Sequence, residues 1–208
     1  MAKITSVEPQ RDNKRFNIFL DGEFAMNIDS ETLLKSGYKL GGEITDEELY
    51  ELLQASDNRR ANEKALYLLE HRNHSKKELV DKIRRTTSPQ AAQAAADHMQ
   101  ELGLVNDAVF AKDYAAELLG RKGFSASRAQ HELLLKGIDK ELAEEIIGEL
   151  APDPIEKIKE ILARKYERVL GDEKGRRRAI NALQRFGYRY EDIRRALNDY
   201  DVELNGDE

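Results

Sequence analysis

The chain has 208 residues, 36% charged, 40% apolar and only 7% aromatic, with a net charge of −6. Such a balance suits helices that each bury one modest stripe under a charged surface. No cysteine is present, so a disulfide framework, a thiolate metal site and thiol catalysis are excluded, and a reducing cytoplasm is the expected setting. No apolar run nears the roughly 20 residues that span a bilayer, so no membrane association is expected.

Along the chain, "KITSVEPQ", "KRFNIFLDG" and "EFAMNI" are short, rich in β-branched and aromatic residues, and split by "RDN" and "DGE". Asp21-Gly22 supplies the positive φ of a tight hairpin. A small antiparallel sheet of about three strands is predicted, followed by a short helix over "SETLLKSG" that Gly37 closes. Residues 1–57 form this β subdomain together with an acidic helix. That helix opens at Thr45, with Glu48 at capping-box spacing. Gly41 to Asn58 holds six acids and no base.

Everything beyond reads as helix, and one unit is written repeatedly. "RAQHELLLKGIDKELAEEII" (Arg128–Ile147) and "RRAINALQRFGYRYEDIRRAL" (Arg177–Leu197) align at an offset of fifty residues. Arg178 falls on Arg128, Leu183 on Leu133, Gly187 on Gly137 and Leu197 on Ile147. The same offset lays Leu66–Ile83 over Ala116–Leu133, with Ser75 on Ser125. Ser75 is an N-cap candidate, with Glu78 completing its box. Pro89, Pro152 and Pro154 sit at helix-start positions. In the first copy Thr87 stands opposite Gly137, and in the third Gly175 stands where the serine is expected.

The resulting fold class is mainly α: a tandem array of three three-helix repeats, about nine helices, behind the small β subdomain. The repeats cover 58–105, 106–152 and 153–200, and 201–208 form an acidic tail. Each unit buries its apolar face on its neighbours. Leu79, Ile83, Leu133, Leu183 and Leu197 are the predicted core positions.

Chemistry-bearing motifs are sparse. The chain contains neither a phosphate-cradling G-x-x-x-x-G-K-[ST] nor a G-x-G-x-x-G. His71 and His74, three apart near a helix end, lack a third ligand at recognisable spacing. They read as surface groups at a helix C-terminus rather than as a metal site. Glu47-Glu48 and Glu144-Glu145 read as solvated faces. No enzyme activity, metal or cofactor is expected.

The basic residues are more informative. Glu156 to Tyr200 carries thirteen Lys/Arg against eight Asp/Glu. Arg178 and Arg185, seven apart, share a helix face, and Tyr188 and Tyr190 lie among the arginines where they could stack on bases. The competing reading is a solvated face paired with its own acids. Cations recur at matching repeat positions, which favours a ligand-facing ladder. The candidate binding residues are Arg72, Lys76, Lys77, Lys82, Arg121, Lys122, Arg128, Lys136, Arg176, Arg177, Arg178, Arg185 and Arg189.

Three stretches carry a family resemblance. The first holds Ala65, Leu68, Leu69, Arg72, Ser75, Glu78, Leu79, Lys82 and Ile83. The second holds Gly103, Leu104, Val105, Asn106, Asp107, Phe110 and Ala111. The third holds Glu132, Leu133, Lys136, Gly137 and Ile138. In this order they resemble the RecX family, regulators of the recombinase RecA, over roughly 61–200. Ala129 and Thr86-Thr87 depart from the family pattern, both in the scaffold. The resemblance implies nine helices in three helix-turn-helix-like repeats. It also implies a modulator that seats in the groove of the RecA filament, restrains its activities in recombination, repair and the SOS response, and binds single-stranded and double-stranded DNA; a monomer is expected. The alternative is a stand-alone helix-turn-helix DNA-binding regulator, for which no dimerisation heptad is visible.

Overall fold

A computed structural model describes residues 1–11 and 14–205. It divides into two compact units, Met1–Val105 and Asn106–Glu208.

The first unit opens with strands β1 (Ala2–Pro9), β2 (Arg15–Leu20) and β3 (Glu23–Asp29), paired antiparallel. Asp21 and Gly22 both take positive φ, 50° and 90°, as a hairpin that follows the strands' twist requires. The β1–β2 connection expected at "RDN" falls partly outside the described residues. A fourth strand that the sequence did not announce, β4 (Glu43–Ile44), adds to β1, giving the order β3-β2-β1-β4. Two residues are too few to show an alternating pattern. Helix α1 (Ser30–Ser36) ends at Gly37, φ 73°, as predicted, but its cap is Asp29. Ile4, Ile18, Met26 and Ile28 fill the inner face of the sheet with Ile44 and Leu52.

Helix α2 (Asp46–His71) starts from the Thr45–Glu48 capping box and runs 26 residues without a break. The boundary expected at 57/58 therefore lies inside it. Its first half covers the sheet, through Leu52. Its second half turns Ala61 and Ala65 into a separate core with α3 (Lys76–Ile83) and α4 (Pro89–Glu101). Nothing between Thr45 and Arg72 can stop a helix, so one element serves both cores.

The second unit holds α5 (Asp107–Ala116), a π-helical segment (Glu117–Lys122), α6 (Ala126–Leu135), α7 (Lys140–Leu150), α8 (Pro154–Lys165), a short 3-10 turn (Glu167–Val169), α9 (Glu173–Arg185) and α10 (Tyr190–Asn205). Asn106 and Asp153 cap α5 and α8 at the expected starts of the second and third copies. Ser75 and Ser125 cap α3 and α6, each accepting the N–H three residues on. Pro89 and Pro154 occupy first-turn positions, whereas Pro152 lies in the loop before α8. The expected core leucines are buried: Leu79, Ile83, Leu133 and Leu183 at 0% exposure and Leu197 at 7%. The tail assigned to 201–208 begins as the last residues of α10, and 206–208 lie outside the described residues.

The third copy departs from the register in one informative way. Its cap is Asp172, three residues before the serine position, and accepts the Gly175 N–H at 2.6 Å, so α9 already begins at Glu173. Gly175 is thereby buried inside α9 against the 3-10 turn.

Candidate nucleic-acid and partner interface

Helix α9 is strongly two-sided. Gly175, Ala179, Ala182 and Leu183 face the core, and Lys174, Arg178, Asn181 and Arg185 are exposed at spacings of four, three and four. Among the described residues Lys174, Arg178, Arg185 and Arg189 enter no ion pair. Arg177 pairs with Glu173 at 2.7 Å, and the Arg176 Nε donates to the Leu170 carbonyl at 2.8 Å, which ties α9 to the preceding turn. The shared face of Arg178 and Arg185 was legible in the sequence. The anchoring of Arg176 was not.

The second copy meets this helix at its C-terminal end. The Ser125 N–H donates to the Phe186 carbonyl at 2.9 Å, and the Phe124 and Phe186 rings lie 5.9 Å apart. Arg128 lies over Phe124, 4.4 Å from the ring centroid, pairs with Glu132 at 3.6 Å and donates to the Arg185 carbonyl. Gly187, at φ +93°, permits this approach: a Cβ there would stand 2.5 Å from Ser125 Oγ and 2.7 Å from Arg128 Cβ. Beside the junction, Ser127, Arg128, His131, Gln184 and Arg185 line an open groove. Arg128 and Arg185 are thus brought together across 57 residues of chain.

The other expected rungs are engaged internally. Arg121 pairs with Glu117, and Lys122 lies 3.8 Å from the same carboxylate and 5.2 Å from the Tyr114 ring centroid. Lys136 lies 5.6 Å from that centroid. In the first unit Arg72 grips Glu78 through both carboxylate oxygens, at 2.8 and 3.1 Å. Lys76 reaches Asp97 at 2.6 Å and Gln100 at 2.7 Å, Lys77 lies 3.9 Å from Asp81, and Lys82 is half-buried. Apart from the Arg72–Glu78 pair, whose carboxylate is only 13% exposed, pairs of this kind are worth about 0–1 kcal/mol, so a phosphate or another carboxylate can displace them.

Two expectations need correction. Tyr188 is not a stacking platform: it is 6% exposed inside the core of α8–α10, and burial pushes its phenol up to about 12. Tyr190, by contrast, is 56% exposed. His74 is not a surface group either. It is 3% exposed, with Nδ1 3.1 Å from Glu78, and burial holds its imidazole below the ordinary 6.5 despite that carboxylate; Arg72 and Lys82 act in the same direction as burial. His71 does sit at the exposed end of α2, its Nδ1 2.7 Å from the Tyr67 carbonyl.

Because the folded state holds His74 neutral while the unfolded chain takes up its proton near 6.5, stability is complete above that pH and is lost as pH falls through the lower folded value. Asp29 behaves as a carboxylate below its ordinary 3.8. Burial alone would raise it, but bonds from Thr32 and Ser56 and the nearby Arg59 outweigh that, so its effect is confined to more acid solution. Melting followed between pH 7 and 5 should therefore show a falling midpoint in the wild type and a flatter profile in His74→Gln.

The fold and this face define a helical-repeat protein built of three-helix units, with its charged chemistry displayed on helix surfaces. Residues 2–45 match the model of the regulatory protein RecX N-terminal domain, and residues 106–147 match that of the second three-helix domain of RecX. Regulatory protein RecX of Bacillus velezensis is 30% identical over all of this chain and 81% of its own. That of Clostridioides difficile is 30% identical over 95% of each. The Caldanaerobacter subterraneus protein is 29% identical over 94% of this chain and 98% of its own. Two crystal structures share the fold. One regulatory protein RecX has a TM-score of 0.60 at 18% identity, covering 96% of this chain and all of that one. RecX from Lactobacillus salivarius has a TM-score of 0.58 at 21% identity, covering 71% and 99%. The chain belongs to the RecX family of regulatory proteins. Among the described residues no helix is long and apolar enough to cross a membrane.

Proposed function

We propose that this chain binds the RecA–DNA filament in the cytoplasm and restrains its ATPase, strand-exchange and co-protease activities. It acts as a monomer, by binding alone, without a cofactor or metal. One observation carries the reading: the exposed α9 face presents Lys174, Arg178 and Arg185, with Arg189 in the turn beyond, without acidic partners among the described residues, next to Arg128 at the repeat junction. Guanidinium groups so placed match phosphate and carboxylate oxygens. The remaining ladder, Arg72, Lys76, Lys77, Lys82, Arg121, Lys122, Lys136, Arg176 and Arg177, supplies weaker contacts by exchanging internal partners. Many such contacts along a filament add up and depend on salt.

The test is co-sedimentation with RecA filaments on single-stranded DNA and with the naked strand, together with RecA-dependent ATP hydrolysis at low and high salt. Retention on the filament with slowed hydrolysis, both weakened by salt, is the expected result. Binding confined to one DNA sequence, with hydrolysis unaffected, would instead identify a stand-alone helix-turn-helix regulator.

A further inference from the structure

Helix α2 carries one stripe at spacings of three and four: Leu49, Leu52, Ser56, Arg59, Glu63, then Leu66 with Tyr67, and Glu70. The first part of the stripe is occupied. Leu52 and Ser56 are buried against the sheet, and Arg59 reaches Asp29 and Glu31. Past Glu63 the stripe is open to solvent, with Lys64 over the Tyr67 ring at 4.9 Å and the His71 ring 4.5 Å from it. Leu66 and Tyr67 are 49% and 54% exposed, and with Leu104, 49% exposed, they line a groove edged by Glu63 and Glu70.

The scaffold does not require this apolar surface. The helical core beside it is filled by Ala61 and Ala65 on another side of α2. Fifty residues on, where the second copy repeats the same element, Leu66, Tyr67, Glu70 and Leu104 are replaced by Ala116, Glu117, Gly120 and Pro154. Exposed apolar grooves with polar rims mark interaction sites.

We propose that this groove takes an amphipathic helix of a protein partner, with apolar side chains along its centre and Lys or Arg on its flanks. The charge of the rim selects the occupant. Glu70 enters no ion pair among the described residues, and Glu63 has only Arg59, at 3.1 Å. Two carboxylates against the one Lys64 ammonium over Tyr67 leave the rim acidic on balance, so a phosphate backbone is disfavoured here while the α9 face attracts it. A second copy is disfavoured too, because a two-fold contact sets each acidic edge against its own image. A basic amphipathic helix satisfies both the apolar floor and the rim.

Resting on the function proposed above, the partner is RecA itself, and the groove accounts for protein contact where α9 accounts for phosphate contact. The test uses the full chain with a benzophenone side chain at Tyr67, irradiated with RecA in the presence and absence of a dT oligonucleotide. The expected adduct maps to a Lys/Arg-flanked helix of RecA in both conditions. The companion variant Leu66→Glu/Leu104→Glu, at exposed positions and checked by thermal melting, should bind RecA at least tenfold more weakly and the oligonucleotide unchanged. An adduct with DNA or with a second copy, no adduct, or undiminished RecA affinity in the double variant would overturn the proposal. If filament binding then still responded to reversal of the α9 charges, the proposed function would stand without the groove.

Discussion

Gly175→Ala will cost the second unit about 3 kcal/mol, at the upper end of overpacking effects. A Cβ on Gly175 would fall within bonding distance of the Val169 carbonyl oxygen, 2.7 Å from its carbon and 2.9 Å from the Val169 Cβ. These are largely backbone atoms of the 3-10 turn that joins α8 to α9, so no side-chain rotation relieves the clash. The turn must move, and with it the Arg176–Leu170 bond that anchors it. For a unit of this size the midpoint should drop by roughly 12 °C or more. Gly148→Ala is the control. It lies exposed within α7, a Cβ there meets nothing within 4 Å, and removal of backbone freedom should stabilise by about 0.5–1 kcal/mol. Thermal melting of the two variants against the wild type separates contact from propensity. Equal midpoints for Gly175→Ala and the wild type would mean that the α8–α9 turn is not packed as described.

Arg178→Glu/Arg185→Glu/Arg189→Glu should weaken filament and single-stranded DNA binding by two orders of magnitude or more at low salt. Each substitution removes a cation that has no acidic partner among the described residues and installs a repelling carboxylate. The log–log salt slope should fall by about one per lost phosphate contact, hence by roughly three. All three positions are exposed, so the melting midpoint should move little. Reversal of Arg176, Arg177 and Arg178 together is a poorer probe, because Arg176 holds the α8–α9 turn and its loss mixes stability with affinity. Anisotropy titrations at two salt concentrations, with melting in parallel, provide the readout. Unchanged affinity in a folded triple variant would make these arginines a solvated face.

Much of this architecture was legible because its signals are local. The Asp21-Gly22 hairpin, the caps at Thr45, Ser75, Ser125, Asn106 and Asp153, and the fifty-residue spacing of buried leucines each depend on residues within a turn or two of one another. The same logic found the two-sided α9 and its exposed arginines. The unbroken α2 was legible in principle, since no Gly or Pro interrupts it. The change in composition near Asn58 concealed it, because composition follows what a helix packs against, and α2 packs on two different cores.

What the sequence by itself determined is therefore the set of helices, their register and the side on which each keeps its charge. These follow from backbone capping and from the burial of apolar side chains at helical spacing, and both act over a few residues. Only the tertiary structure decided that Tyr188 and His74 are interior, that Gly175 is a contact residue, and that Arg128 meets Arg185 while Arg176 is tied down. It also decided which cations are left without acidic partners among the described residues. A polar or small side chain can be satisfied by several neighbours of similar energy, and close packing of segments distant in the chain selects the one that it meets.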